Sequence, residues 1–233
     1  MIAVTFALPS ESSEFRRRLR NRTSAERNGV RIVRGKMDDQ MVEVLHTGVG
    51  EKVCRQRIEK FLQDQQFGFL ISAGFAGALN DELHVGDLLL AKNFSTIDLN
   101  ERISFFSSLP IHMADLLTVS ALVDSSDERN RIARASGAAA VDMETEFIAR
   151  ACAEYGVPLL SLRVITDTPR EPFPAPAKVL FDIEQQRTDL ARLAAFFFTH
   201  PGRIPHLSRF TGRIARTRKV LANALVEVIR AIA

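Results

Sequence analysis

Short, largely apolar runs, each followed at once by small or polar residues, constrain this chain more than any other feature. They occupy residues 2–7, 41–45, 69–72, 85–91, 116–123 and 159–165. Runs of four to eight such residues read as strands buried on both faces. Helical patterns fall between them. One begins after Gly50 and places Val53, Ile58, Phe61 and Leu62 on a single face. Another covers 142–155 and is stopped by Gly156, with Pro158 beyond it. A third, long one is expected over 178–198. Ser10, after Pro9, is a candidate N-cap for a helix that follows the first strand. Residues 30–33 and 41–45 flank Lys36-Met37-Asp38-Asp39, which reads as a hairpin or meander. The small-residue stretch 73–78 reads as a turn.

Strands alternating with helices imply an α/β fold, a three-layer αβα sandwich whose early hairpin makes the central sheet mixed. Residues 1–198 are expected to form one catalytic domain. Pro201-Gly202 and Pro205 then break the chain, and 199–233 is expected to be a basic helical extension. The chain has 46% apolar and 25% charged residues, which excludes disorder and a disulfide scaffold. Its longest uncharged stretch, 65–80, is too short and too polar to span a bilayer. Cys54 and Cys152 lie in apolar helical contexts and read as reduced core thiols of a cytoplasmic protein.

Charge is uneven. Residues 187–233 hold nine basic and two acidic side chains, +7, against −4 for the remainder. Such an end suits peripheral contact with an anionic membrane surface, or it is a solvated helix face. Nucleic acid is not an expected partner, because Phe210 is the only aromatic within the basic residues 199–233.

In open α/β sheets ligands bind beyond the carboxyl ends of the strands. Gly48-Val49-Gly50 lies there, but the third glycine of a dinucleotide fingerprint would fall at Val53, and no Walker lysine follows. The histidines at 46, 84, 112, 200 and 206 lack metal-ligand spacing. No metal and no cofactor is expected. Carboxylates stand out instead: Glu11 after the first strand, Glu144 at a helix start, and Asp167 at the end of a buried strand. Burial would raise the pKa of Asp167 and suit it to donate a proton. Each of the three reads equally well, taken singly, as a cap or surface acid.

Six segments occur in one order: 7–11 (ALPSE), 47–50 (TGVG), 72–77 (SAGFAG), 85–87 (VGD), 140–144 (AVDME) and 163–167 (RVITD). Together, over about 1–185, they resemble the nucleoside phosphorylase/nucleosidase superfamily, and within it the 5′-methylthioadenosine/S-adenosylhomocysteine nucleosidases. The resemblance implies catalytic roles for Asp167, which would protonate purine N7, and Glu11, which would deprotonate the attacking water. Glu144 would bind the ribose hydroxyls, Met143 would pack on the sugar, and Arg163 would lie near the water. Thr166, where the family usually has Ser, would support the base site, with Gly74, Phe75 and Val123 also at the substrate. Leu8, Val49 and Phe173 would form an apolar 5′ subsite. A homodimer is implied too.

Residues 167–176 with 200–205 further resemble the hopanoid-associated branch, whose substrate would be the lipid nucleoside adenosylhopane. Phe75 departs from the small polar residue usual at its position, and 87–142 is shorter than usual. The expected activity is hydrolysis of a 5′-substituted adenosine. Glu11 would repel phosphate, which disfavours a phosphorylase. A soluble thioadenosine nucleosidase and an inactive nucleoside-binding protein are the other readings.

Overall fold

The computed structural model describes residues 1–97, 111–176, 179, 181–186 and 190–232. Among these, a ten-stranded mixed sheet runs through the molecule. Its strands are β1 (Ile2–Phe6), β2 (Arg20–Arg27), β3 (Val30–Met37), β4 (Gln40–His46), β5 (Phe69–Ala78), β6 (Leu88–Ala91), β7 (Ile111–Ala114), β8 (Leu116–Thr118), β9 (Ala140–Asp142) and β10 (Leu159–Asp167). The spatial order is β2-β3-β4-β1-β5-β10-β6-β7, with β9 branching from β5 and pairing with β8. The centre, β4-β1-β5-β10, is parallel. The β2-β3-β4 meander and the β10-β6 pair are antiparallel.

Alternation along the strands builds two cores. Val4, Phe6, Val44, Ile71, Leu162 and Val164 face one side and pack with α1 (Ser13–Arg18) and the long last helix. Ala3, Ile32, Leu45, Leu70 and Leu159 face the other side. There they meet Cys54, Ile58, Phe61 and Leu62 of α2 (Glu51–Leu62), and Ile148 and Cys152 of α4 (Thr145–Glu154). The expected mixed sheet with helices on both faces is present. Both cysteines are free and buried, and burial pushes both thiols up.

Four expectations are corrected. Residues 73–78 do not turn; they extend β5 to Ala78. Their small size serves close packing: a Cβ on Gly77 would lie 2.8 Å from an Asp167 carboxylate oxygen and 3.1 Å from Arg129. The helix foreseen over 178–198 is α5, Leu190–Thr199. Of its expected start, residues 178, 180 and 187–189 lie outside the described set. Residues 183–186 form a turn in which Gln186 has φ 54°, and its amide exchanges 2.7 Å hydrogen bonds with the Val49 N–H and carbonyl. The strand read over 116–123 is only Leu116–Thr118.

The fourth correction is the C-terminal segment. Helix α6 (Ile204–Ile232) is not an appendage. Its Leu221, Ala222, Leu225, Val228 and Ile229 are buried in the same cluster as β1, β4 and β10. That apolar face is therefore unavailable to a membrane. Arg213 is bound to Glu171, and Arg230 to Asp38, so the helix is tied to the domain by charge as well. No helix among the described residues is long and apolar enough to cross a membrane.

Four elements had been missed: β2, β7, β9 and one helix. β2 is a polar, mostly exposed edge strand with no apolar signal. Helix α3 (Ser126–Ser136) is almost wholly polar, yet its caps are written in the sequence. Ser125 accepts from the Glu128 N–H at 3.1 Å, and Gly137 closes the helix in the left-handed region.

Candidate active site

The carboxyl ends of β1, β4, β5, β9 and β10 open into one cavity of about 360 Å³. That volume lies in the usual range for small-molecule sites, roughly 300–1,000 Å³. Ten of the twelve residues singled out from the sequence line it: Leu8, Glu11, Val49, Phe75, Val123, Met143, Glu144, Thr166, Asp167 and Phe173. The other two, Gly74 and Arg163, line a small recess behind it, which Glu11, Phe75 and Glu144 also border.

Local chemistry aims each acid. Pro9 occupies the second position of a turn closed by the Glu11 N–H on the Leu8 carbonyl at 3.1 Å, a place where its fixed φ is favoured. The turn brings the Glu11 Oε2 to the N–H groups of Ala7 and Leu8, at 3.1 and 3.4 Å. Oε1 accepts no hydrogen bond from the described residues. Burial pushes Glu11 up to about 7, against those N–H groups and the Arg163 charge.

Glu144 stands at the N-cap position of α4 without capping it, and its Oε1 accepts from the Gly50 N–H at 3.1 Å, at the start of α2. Its carboxyl is raised, first by burial and then by the neighbouring Asp142 and Glu11. The loop that presents Gly50 needs glycine at 48. Gly48 has φ 81°, and a Cβ there would meet Val53 at 2.5 Å.

Asp167 ends β10 after a register shift in its pairing with β5, a bulge that re-aims the last side chain. Its Oδ2 accepts from Arg129 Nη2, and its Oδ1 from the Thr166 hydroxyl at 2.9 Å. That hydroxyl is also 3.4 Å from the Ala76 carbonyl. Burial raises the Asp167 pKa, and Arg129 opposes the rise.

Arg129 is the charged partner of the site that sequence reasoning missed. It is 1% exposed and also donates to the carbonyls of Ala78 and Val123, both at 2.7 Å. Nothing in the polar sequence of α3 marks one of its arginines as buried. Phe181, Phe210 and Ile214 also line the cavity, the last two from α6, and they had gone unrecognised. Met143 and Val123 are buried beside the acids, while Leu8, Val49 and Phe173 join Phe210 and Ile214 as apolar lining.

Arg163 borders the recess beside Glu11 and is held there by the scaffold. It donates to Asp142, to the Ser72 carbonyl at 2.7 Å, to the Ser72 hydroxyl at 2.8 Å, to the Leu162 carbonyl at 3.0 Å and to Thr145. With its donors engaged, it acts on Glu11 through charge across the recess. Among the described residues no group of side chains has the make-up of a metal site.

Known proteins share this frame. A curated 5′-methylthioadenosine/S-adenosylhomocysteine nucleosidase of Staphylococcus aureus (strain MRSA252) is 22% identical over 196 residues, 72% of this chain and 86% of its own length. The solved Campylobacter jejuni nucleosidase of the same name superposes with a TM-score of 0.73 at 18% identity, covering 98% of this chain and 97% of that one. Native futalosine hydrolase of Helicobacter pylori strain 26695 gives 0.73 at 14% identity, with the same coverage. The phosphorylase superfamily model matches residues 1–115 and 109–199, so this chain belongs to the phosphorylase superfamily.

Proposed function

We propose that this protein is a nucleosidase that hydrolyses the N-glycosidic bond of a 5′-substituted adenosine. The observation that carries the reading is the convergence of Glu11, Glu144 and Asp167, all buried, on one cavity with an apolar end. Departure of a purine from ribose passes through an oxocarbenium-like state, which needs acid at the base and a water on the opposite face.

In this reading Asp167 carries the proton that goes to N7. The Thr166 hydroxyl can turn from Oδ1 to the Ala76 carbonyl, which frees that oxygen to face the base. The N9–C1′ bond breaks and its electron pair stays with the adenine. Glu11, held by two N–H groups on one oxygen, takes a proton from water with the other, and the water oxygen bonds C1′. Glu144 accepts from ribose hydroxyls. The same Glu11 charge disfavours an attacking phosphate.

The apolar lining of Leu8, Val49, Phe173, Phe181, Phe210 and Ile214 supports an apolar 5′ group. Methylthioadenosine and adenosylhopane both belong to that class. In the nucleosidase reading, Glu11→Gln binds methylthioadenosine by calorimetry as wild type does and releases no adenine. Full hydrolysis by that variant would remove Glu11 as the base.

A further inference from the structure

A second cavity, of about 680 Å³, lies between α1, β3, β4 and α2. Pro9, Val30, Val33 and Leu45 form part of its wall. Arg16, Arg31, Arg57 and Lys60 all line it, and Glu26 is the only carboxylate among its described lining residues. None of the four cations is ion-paired with a described residue. This contrasts with the rest of the meander, where Glu43 takes both Arg27 at 2.8 Å and Arg34 at 2.7 Å.

The cations are positioned, not merely present. Arg57 and Lys60 are one turn apart on one face of α2. Arg57 Nη1 is fixed by the His46 carbonyl at 3.2 Å. Arg16 Nε is buried with no hydrogen-bond partner among the described residues. Between them His46 meets the Ser12 hydroxyl at 2.7 Å and is held neutral, its pKa pushed down to about 4 by burial and then by Arg16 and Arg57. Like charges gathered without counter-charges repel, and the arrangement costs stability unless an anion joins it.

We infer that this cleft is a binding site for a compact phosphate-class polyanion, a diphosphate or the diphosphate part of a small molecule. Two arginines can each present paired N–H groups to phosphate oxygens, and Lys60 adds a point charge. Four cations against one carboxylate exceed what a single phosphate neutralises. The site is separate from the catalytic cavity: none of Glu11, Glu144 and Asp167 lines it. It is therefore independent of the proposed reaction.

The test is thermal melting and titration calorimetry of the full chain with sodium pyrophosphate, against sodium chloride of matched ionic strength. Wild type is expected to melt about 5–10 °C higher in pyrophosphate at a hundredfold excess over Kd. Arg16→Gln/Arg57→Gln is expected to lose that gain, and to melt at or above wild type in low salt without ligand. Lys60→Gln is the second variant, because its ammonium makes no hydrogen bond or ion pair with a described residue, and it is expected to weaken binding severalfold. Flotation on phosphatidylglycerol vesicles is expected to show no binding. A gain equal in chloride, no gain at all, or an equal gain in all variants would overturn the inference. Vesicle binding that Lys60→Gln abolishes would move the anion from a soluble ligand to a lipid headgroup and would also overturn it.

Discussion

Two buried arginine–aspartate pairs flank strand β10, and they are built differently. In the pair of Arg163 with Asp142, both partners are saturated. The guanidinium reaches Ser72, Leu162 and Thr145, and Asp142 also accepts from Thr118 at 2.8 Å and from the Thr145 N–H. In the pair of Arg129 with Asp167, the arginine also holds the Ala78 and Val123 carbonyls, but the aspartate has accepting capacity to spare. Asp167 lines the cavity, and among the described residues its second oxygen meets only a hydroxyl that has another acceptor in reach. Strand β10 supplies a partner to each pair, four residues apart. Spare hydrogen-bonding capacity facing a cavity distinguishes the group that can exchange a proton from the group that holds the scaffold.

The sharpest way to break this distinction is Asp167→Asn. Loss of a positioned general acid is expected to lower kcat by about 10²–10⁴-fold. The amide still accepts from Arg129, so the variant is expected to fold. Steady-state adenine release measures it, and a near wild-type rate would erase the difference between the pairs.

Arg163→Met probes the opposite member. It leaves Asp142 buried without its cation, and breaking such a pair costs about 3–5 kcal/mol. Urea unfolding should show that loss, and an unchanged midpoint would mean that this pair is not the scaffold.

A smaller effect concerns Glu11. It keeps its proton to about pH 7 when folded, against an ordinary value of 4.5. Between those values the folded state binds more protons than the unfolded one, so stability falls as pH rises through that window. Glu11→Gln removes the term. It is expected to be more stable than wild type at pH 8 by on the order of 2–3 kcal/mol, with the gap closing toward pH 5. A gap independent of pH would show that Glu11 does not titrate as its burial dictates.

The smallest expected effect lies at the apolar end. Phe210→Ala should raise KM for methylthioadenosine by about tenfold, the scale of a lost apolar contact, and leave adenosine nearly unchanged. Equal effects on both nucleosides would take Phe210 away from the 5′ group.

The central strands and the three acids were legible in the sequence because buried strands are apolar throughout and the acids stand at strand ends or a helix start. Arg129 was not. Its burial depends on where a polar helix docks, and a guanidinium that meets three carbonyl or carboxylate partners inside looks like any other arginine in the chain. The run from Ala73 to Ala78 misled for a related reason. Small residues signal a turn when read locally, whereas here they clear room in a central strand for Asp167 and Arg129. The basic composition of the last helix hid its apolar stripe, since Leu221, Leu225, Val228 and Ile229 recur at helical spacing among charges on the other face.

The proposal turns on whether water alone completes the reaction. Purified protein incubated with 5′-methylthioadenosine in phosphate-free buffer, followed by chromatography, tests it most directly. Free adenine and free methylthioribose at equal yield, with no gain on adding phosphate, is the predicted result. Adenine released only when phosphate is present, or no adenine in either buffer from this and other 5′-substituted adenosines, would contradict it.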